Sequence, residues 1–207
     1  MRKAVFGGTF DPPHNAHIMI ASTVLSMKLA DKVLFVPAFN PPHKTGQVVT
    51  EYSHRLEMLK LTLKDFSDFE ISEIESEYPD KPSYSLDTMR ELSARFPETS
   101  FVLLIGSDSL RQLHTWHNAH ELVDEFDFII YPRPDEIPSE TELIPFWTEK
   151  KAHSLRKRLL KMPVSSVSSS EIRRKIFENK SVDNLINADV KCYICTNRIY
   201  SGGGLTT

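Results

Sequence analysis

The chain has 207 residues, of which 40% are hydrophobic and 26% charged, enough apolar material for one substantial core. Its formal net charge of −3 gives no bulk electrostatic reason to bind a nucleic-acid backbone or an anionic membrane. No apolar run approaches the roughly 20 residues of a membrane span, and the N-terminus enters a strand pattern without a signal-peptide core, so a cytoplasmic protein with small-molecule ligands is expected.

The first predicted strand, Ala4 to Phe6, runs into Gly7-Gly8-Thr9-Phe10-Asp11-Pro12-Pro13-His14. The chain holds only 7 glycines, three of them at Gly202 to Gly204, so an adjacent pair marks either a tight turn or a backbone that a ligand approaches closely. A helix is predicted from Ala16 to Leu29, starting near Asn15, and its first free N–H groups make an anion seat. His14 and His17, three apart, fall on one side of its first turn, where both imidazoles reach a single anion; a cap and a packed ring would place them equally well. Neither G-x-x-x-x-G-K-[ST] nor G-x-G-x-x-G is present, so neither a P-loop kinase nor a nicotinamide dehydrogenase is indicated.

Strand and helix patterns then alternate: strand Val33 to Val36, helix Tyr52 to Phe66, strand Phe69 to Ile74, helix Leu86 to Phe96, strand Phe101 to Ile105, a broken helix Leu110 to Phe126 and strand Phe128 to Tyr131. This predicts an α/β, Rossmann-like, mostly parallel sheet flanked by helices, with a small C-terminal helical part. Ligands of such sheets bind at the carboxyl ends of the strands, where Gly7-Gly8, the loop carrying His43 and Lys44, and Gly106 all fall. Taken alone, the His43-Lys44 loop reads as a solvated turn.

After Tyr131 a proline-rich acidic stretch reads as a surface excursion, followed by a basic helix near Lys150 to Lys161. Ser168 with Glu171 forms a capping-box pattern, while Ser168, Ser169, Ser170 and Arg173 also compose a polyphosphate site at the same helix tip. Cys192 and Cys195 lack a second ligand pair for zinc and are expected as buried or half-buried thiols on a helix. His114, His117 and His120 are expected on a solvated helix face, with no carboxylate shell for a metal. Residues 1–200 are expected to form one domain and 201–207 a disordered tail; the oligomeric state is left open.

"GGTFDPPHNAH" with "SSSEIR" far downstream resembles the H-x-G-H nucleotidyltransferases. "PPHK", "YSLDTMREL", "IGSDSLRQLHTWH" and "YICTNRIY" resemble one branch, the bacterial nicotinate-nucleotide adenylyltransferases, in that branch's order from Lys3 to about Tyr200. Ala16 stands where the signature has glycine, Ser85 and Ser170 where threonine is common, and His117 where an aromatic is frequent.

The resemblance implies adenylyl transfer from ATP to nicotinate mononucleotide in NAD biosynthesis, with pyrophosphate as the leaving group. It implies that His14, His17 and Arg173 are catalytic, and that Gly7, Gly8, Thr9, Phe10, His43, Lys44, Gly106, Asp108, Ser168, Ser169 and Ser170 bind ATP. Trp116 would stack on the pyridine ring, Ser85 would meet its carboxylate, and His117 would lie beside them. Mg2+ is expected through the ATP phosphates rather than a protein cage. The rivals are another adenylyltransferase of the superfamily, with phosphopantetheine or nicotinamide mononucleotide as acceptor, and a nucleotide-binding regulator without turnover.

Overall fold

A computed structural model describes residues 1–42, 49–134 and 136–201. Five strands, β1 (Arg2–Gly8), β2 (Lys32–Pro37), β3 (Phe69–Ile71), β4 (Ser100–Gly106) and β5 (Asp127–Tyr131), form one parallel sheet in the order β3-β2-β1-β4-β5. The chain order reverses between β1 and β4, and the crevice at their carboxyl ends is where such sheets take ligands.

Helices α1 (Asn15–Ser26) and α2 (Tyr52–Leu63) cover one face, burying Ile20, Ala21, Val24, Leu59 and Leu63 against Ala4, Phe6, Val33 and Phe35. The opposite face is covered by α3 (Ser85–Arg95), α4 (Ser107–Gln112) and α5 (Ala119–Glu125), with Leu86, Met89, Leu92, Leu110 and Leu122 packed on Val5, Leu34, Leu103 and Ile105. Beyond β5 come α6 (Glu140–Leu143) and α7 (Glu149–Lys157), then α8 (Ser169–Phe177) and α9 (Ala188–Thr196). The last two form a third cluster with α2, joining Met58, Ile172, Val190, Ile194 and Ile199.

The structure shortens several predicted elements. β3 ends at Ile71, where Ser72 N–H donates to the Phe35 carbonyl at 2.9 Å, and the chain then turns so that Ile74 starts a short 3-10 segment packed in the other core cluster. α1 stops at Ser26 because Lys28 takes φ 54°, with Leu29 N–H donating to Val24 O and Lys28 N–H to Leu25 O, a Schellman cap built without glycine. Asn179 after α8 (φ 53°) and Arg198 after α9 (φ 54°) repeat that geometry. The proline-rich stretch holds α6, closed by a Ser139–Glu142 capping box. The basic helix ends at Lys157, and Leu160 N–H then donates to Ile130 O at 2.7 Å along the edge of β5.

Cys192 and Cys195 lie on α9 but are both exposed, because α9 turns Val190 and Ile194 inward instead. Among the described residues no helix is long and apolar enough to cross a membrane.

Leu104 lies on β4, the strand joined to both β1 and β5, and is 1% exposed. Leu104→Ala is expected to cost about 2–5 kcal/mol. Urea unfolding followed by far-UV circular dichroism checks it.

Candidate active site

Where β1 ends, the chain makes a turn whose left-handed residue is Phe10 (φ 49°), not a glycine. Gly8 serves that residue: a Cβ on Gly8 would sit 3.1 Å from Phe10 Cζ, so the ring can tuck beneath the turn, where it packs on Phe6, Phe35 and His17. A Cβ on Gly7 would meet nothing within 4 Å, and Gly7, Gly8 and Thr9 border the open cleft. The two adjacent glycines therefore answer different needs, packing at one and an open ligand edge at the other.

His14 and His17 stand at the start of α1, 2% and 8% exposed, with their rings stacked at 3.7 Å. His14 N–H donates to His17 Nδ1 at 3.1 Å, so the neutral His17 ring carries its proton on Nε2. His14 Nδ1 is buried without a hydrogen-bond partner. Burial, with the Arg133 charge nearby, holds His14 down at about 3. Burial first, then His14 and Arg133, keep His17 well below the usual imidazole range. Both rings are thus neutral at pH 7.

At the end of β4, a Cβ on Gly106 would lie 2.1 Å from Asp108 Oδ1, so glycine allows the Asp108 side chain to fold back over the strand end. Asp108 Oδ1 is buried and unpartnered, facing Arg133 across 3.7 Å at Oδ2. Arg133 also lies over the Tyr131 ring and, with His14, Ala16, Met162 and Val167, lines a narrow cavity beside the imidazole pair. The Ala16 methyl, in place of the signature's glycine hydrogen, borders that cavity.

The tip of α8 docks on the β1 turn. Arg173 Nη1 donates to Asp11 O at 2.7 Å and Nη2 to Ser170 Oγ at 3.3 Å; Ser169 Oγ donates to Pro12 O at 2.8 Å. Ser168 Oγ accepts from Glu171 N–H at 3.2 Å, the cap the sequence pattern predicts. All three serine hydroxyls are thus engaged within the chain.

A cleft of about 280 Å3 runs from Gly7 and Gly8 to Ser85, Trp116 and His117. Ser85 opens α3, and Trp116 is half-buried against the adjacent core while also bordering the cleft. The expected single helix face of histidines is absent. The chain breaks into α4, a 3-10 turn Leu113–Thr115, an extended Trp116 and a left-handed Asn118 (φ 49°), so each histidine packs against a different aromatic. His114 meets Phe146, His117 meets Tyr84, and His120 meets Trp147. Among the described residues no three His, Cys, Asp or Glu side chains group as metal ligands. His43 and Lys44 lie outside the described residues, as do 202–207 of the expected tail.

Four residues at this edge carried no role in the sequence reading: Asp11, Arg55, Arg133 and Tyr200. Arg55 is 1% exposed, although an arginine within a helical pattern ordinarily reads as solvated. Asp11 sat in plain view inside the signature, and Tyr200 inside the closing motif, without a partner to give either a meaning.

The strand order, the dry imidazole pair at the first helix and the flanking cleft define a nucleotide-binding α/β enzyme. The cytidylyltransferase-like family model matches residues 5–175. A probable nicotinate-nucleotide adenylyltransferase of Exiguobacterium sibiricum is 38% identical over 97% of this chain and 100% of that protein. One from Bacillus licheniformis is 37% identical over 97% and 99%. The structure of a Plasmodium falciparum nicotinic acid mononucleotide adenylyltransferase complexed with NaAD shares the fold, with a TM-score of 0.78 at 21% identity over 96% of this chain and 97% of that one. The chain belongs to the cytidylyltransferase-like family and, within it, to the nicotinate-nucleotide adenylyltransferases.

Between about pH 3, where folded His14 titrates, and 6.5, the ordinary value, the unfolded chain binds a proton that the folded chain refuses. The stability this burial leaves intact above pH 6.5 is therefore lost as the pH falls toward 3, by about 1.4 kcal/mol per pH unit for one proton. Urea unfolding at several pH values between 7.5 and 5 is expected to show a shallower acid decline for His14→Gln than for the wild type; parallel curves would refute the neutral, buried His14.

Proposed function

We propose that this protein transfers the adenylyl group of ATP to nicotinate mononucleotide, releasing pyrophosphate and forming nicotinate adenine dinucleotide. The observation that carries the reading is the stacked, neutral His14–His17 pair at the start of α1, beside the crevice between β1 and β4, with the Ser85–Trp116 cleft leading into the same edge. The relatives named for this activity support it.

The attacking group is the phosphate of the mononucleotide, largely dianionic at neutral pH because its second pKa is about 6, and it needs no general base. One of its oxygens bonds to the α-phosphorus as the bond from that phosphorus to the bridging oxygen breaks, and the electron pair leaves on pyrophosphate. The protein supplies alignment and charge stabilisation. His17 Nε2–H donates to the α-phosphate, His14 to a neighbouring phosphate oxygen, and arriving negative charge raises both pKa values.

Arg173 and Lys44 serve the β- and γ-phosphates, Asp108 accepts from the ribose hydroxyls, and Arg133 adds a cation beside the imidazoles. His43 and the Ser168–Ser170 tip border the polyphosphate. Mg2+ enters as part of the MgATP substrate, ligated by phosphate oxygens and water.

On the acceptor side, Trp116 stacks on the pyridine ring, while Ser85 and the free N–H groups opening α3 receive its carboxylate. No nucleic-acid or membrane partner enters this reading. Nicotinate mononucleotide, nicotinamide mononucleotide and phosphopantetheine, compared as acceptors by pyrophosphate release, test it; turnover with phosphopantetheine alone would overturn it.

His17→Ala is expected to lower kcat about 100-fold or more while KM for ATP changes much less, because the bond to the α-phosphate strengthens in the transition state. Steady-state kinetics check it, and a near-normal kcat removes His17 from the mechanism. The acid mononucleotide is expected to exceed the amide by at least about 100-fold in kcat/KM, since the carboxamide brings an NH2 to donors and forfeits a charge-assisted bond. Ser85→Ala should narrow that gap and Trp116→Ala should lower both values; equal kcat/KM for the two mononucleotides rules out the carboxylate pocket.

A further inference from the structure

The loop between Gly8 and His14 is gripped from behind by Asp11, Arg55 and Tyr200, to which the mechanism above gives no role, and by Arg173, which it places on the phosphates. Asp11 is 2% exposed, and three of its oxygens accept from three different elements. Oδ1 accepts from the Tyr200 hydroxyl at 2.5 Å, Oδ2 from Thr50 N–H at 3.3 Å, and the carbonyl from Arg173 Nη1 at 2.7 Å. Arg55 closes the arrangement, donating from Nη1 to Thr9 O and from Nε to Thr50 O, each at 2.8 Å.

Tyr200 is placed for this contact with effort. Its φ of 62° lies in the left-handed region, which a bulky side chain adopts only at a cost, so the surroundings must over-determine it. The preceding Ile199 is 9% exposed and packs in the cluster with Met58, Ile172 and Val190, which ties Tyr200 to α2 and to α8, the helix of Arg173. Burial first, then the Asp11 carboxylate, push the Tyr200 phenol well above its usual range, so it stays a donor.

We propose that Tyr200 is a positioning residue for adenylyl transfer: through the Asp11 carboxylate it fixes the loop that sets where His14 and His17 meet the triphosphate. The inference rests on the adenylyl-transfer reading of this site. The loop past Gly8 has left the strand ladder, so its register depends on bonds such as these. A buried hydroxyl–carboxylate bond is short, directional and costly to leave unmade. In-line transfer is sensitive to displacements of about 1 Å, so slack at Asp11 is read out as lost alignment rather than lost substrate.

The test is steady-state pyrophosphate release by the full chain, with wild type in the same run. Tyr200→Phe keeps the ring and removes the donor; kcat should fall about 10-fold or more, with KM for the mononucleotide within about twofold. Asp11→Asn should fall comparably, and the double variant should be no worse than the poorer single one. Val182→Ala is the control: it loosens the same cluster outside the segment that carries Tyr200, lowers Tm and leaves kcat in place.

The proposal is overturned by a Tyr200→Phe kcat within about twofold of wild type, by losses that multiply in the double variant, or by a Val182→Ala kcat as low as that of Tyr200→Phe. Should Tyr200→Phe not fold, Asp11→Asn decides by the same kcat criterion. An inert wild type sinks the adenylyl-transfer reading and this one with it, whereas an active wild type with an unimpaired Tyr200→Phe sinks the positioning role alone.

Discussion

Two imidazole rings stacked at 3.7 Å, each less than a tenth exposed, cannot both be protonated without a negative partner, because burial and mutual repulsion act in the same direction. That constraint organises the ligand edge. A cationic pair would demand carboxylate partners, and carboxylates beside a polyphosphate would repel it. Neutral rings need only a dry wall, which Phe6 and Phe10 provide edge-on to His17. The charge that does stand near them is Arg133, and it lowers the pKa of both rings further while adding to the field that draws an anion in. A site of this kind is poised for a substrate carrying its own negative charge.

The dry wall is in turn a consequence of how the chain spends its glycines. With 7 in all, it places Gly8 where the Phe10 ring must pass and Gly106 where Asp108 must fold back, and both positions belong to the ligand edge. The helix C-caps that commonly take glycine receive Lys28, Asn179 and Arg198 instead, each in the left-handed region. Those caps accept a modest strain because the bonds that close each helix compensate it.

The same economy explains what could be read from the sequence. Four of the five strands were legible because each holds an apolar run buried on both faces, β3 being a short edge strand with Glu70 at its centre, and the crossovers between them followed from helical spacing. The helix ends were not, since Lys28 and Arg198 carry no stop signal, and α1 accordingly reads three residues too long, to Leu29 rather than Ser26. At the ligand edge, the helix starts that carry His14, His17 and the serine tip were legible because a helix start is a local pattern. Asp11, Arg55, Arg133 and Tyr200 could not, because what each does depends on a partner far away in the chain, as Tyr200 does on Asp11 across 189 positions. Trp116 shows an intermediate case: expected as a platform for the pyridine ring, it is half-buried against the core and borders the cleft as well.

The acid preference proposed above must also contend with carboxylates of the protein's own. Glu75 borders the cleft, close enough to oppose a nicotinate carboxylate if its charge faced inward. Both of its oxygens are committed elsewhere: Oε2 accepts from Phe39 N–H at 3.3 Å and Oε1 from the Thr88 hydroxyl at 2.7 Å. Asp87, in the first turn of α3, borders the neighbouring cavity rather than the cleft. Hydrogen bonds to an ionised group spread its charge into the surrounding dipoles, so what remains at the α3 tip is the N–H end of the helix and the Ser85 hydroxyl. Under the adenylyl-transfer reading, the two ends of the cleft then share one device, neutral donors at a helix start, with Arg133 the added cation at the imidazole end alone.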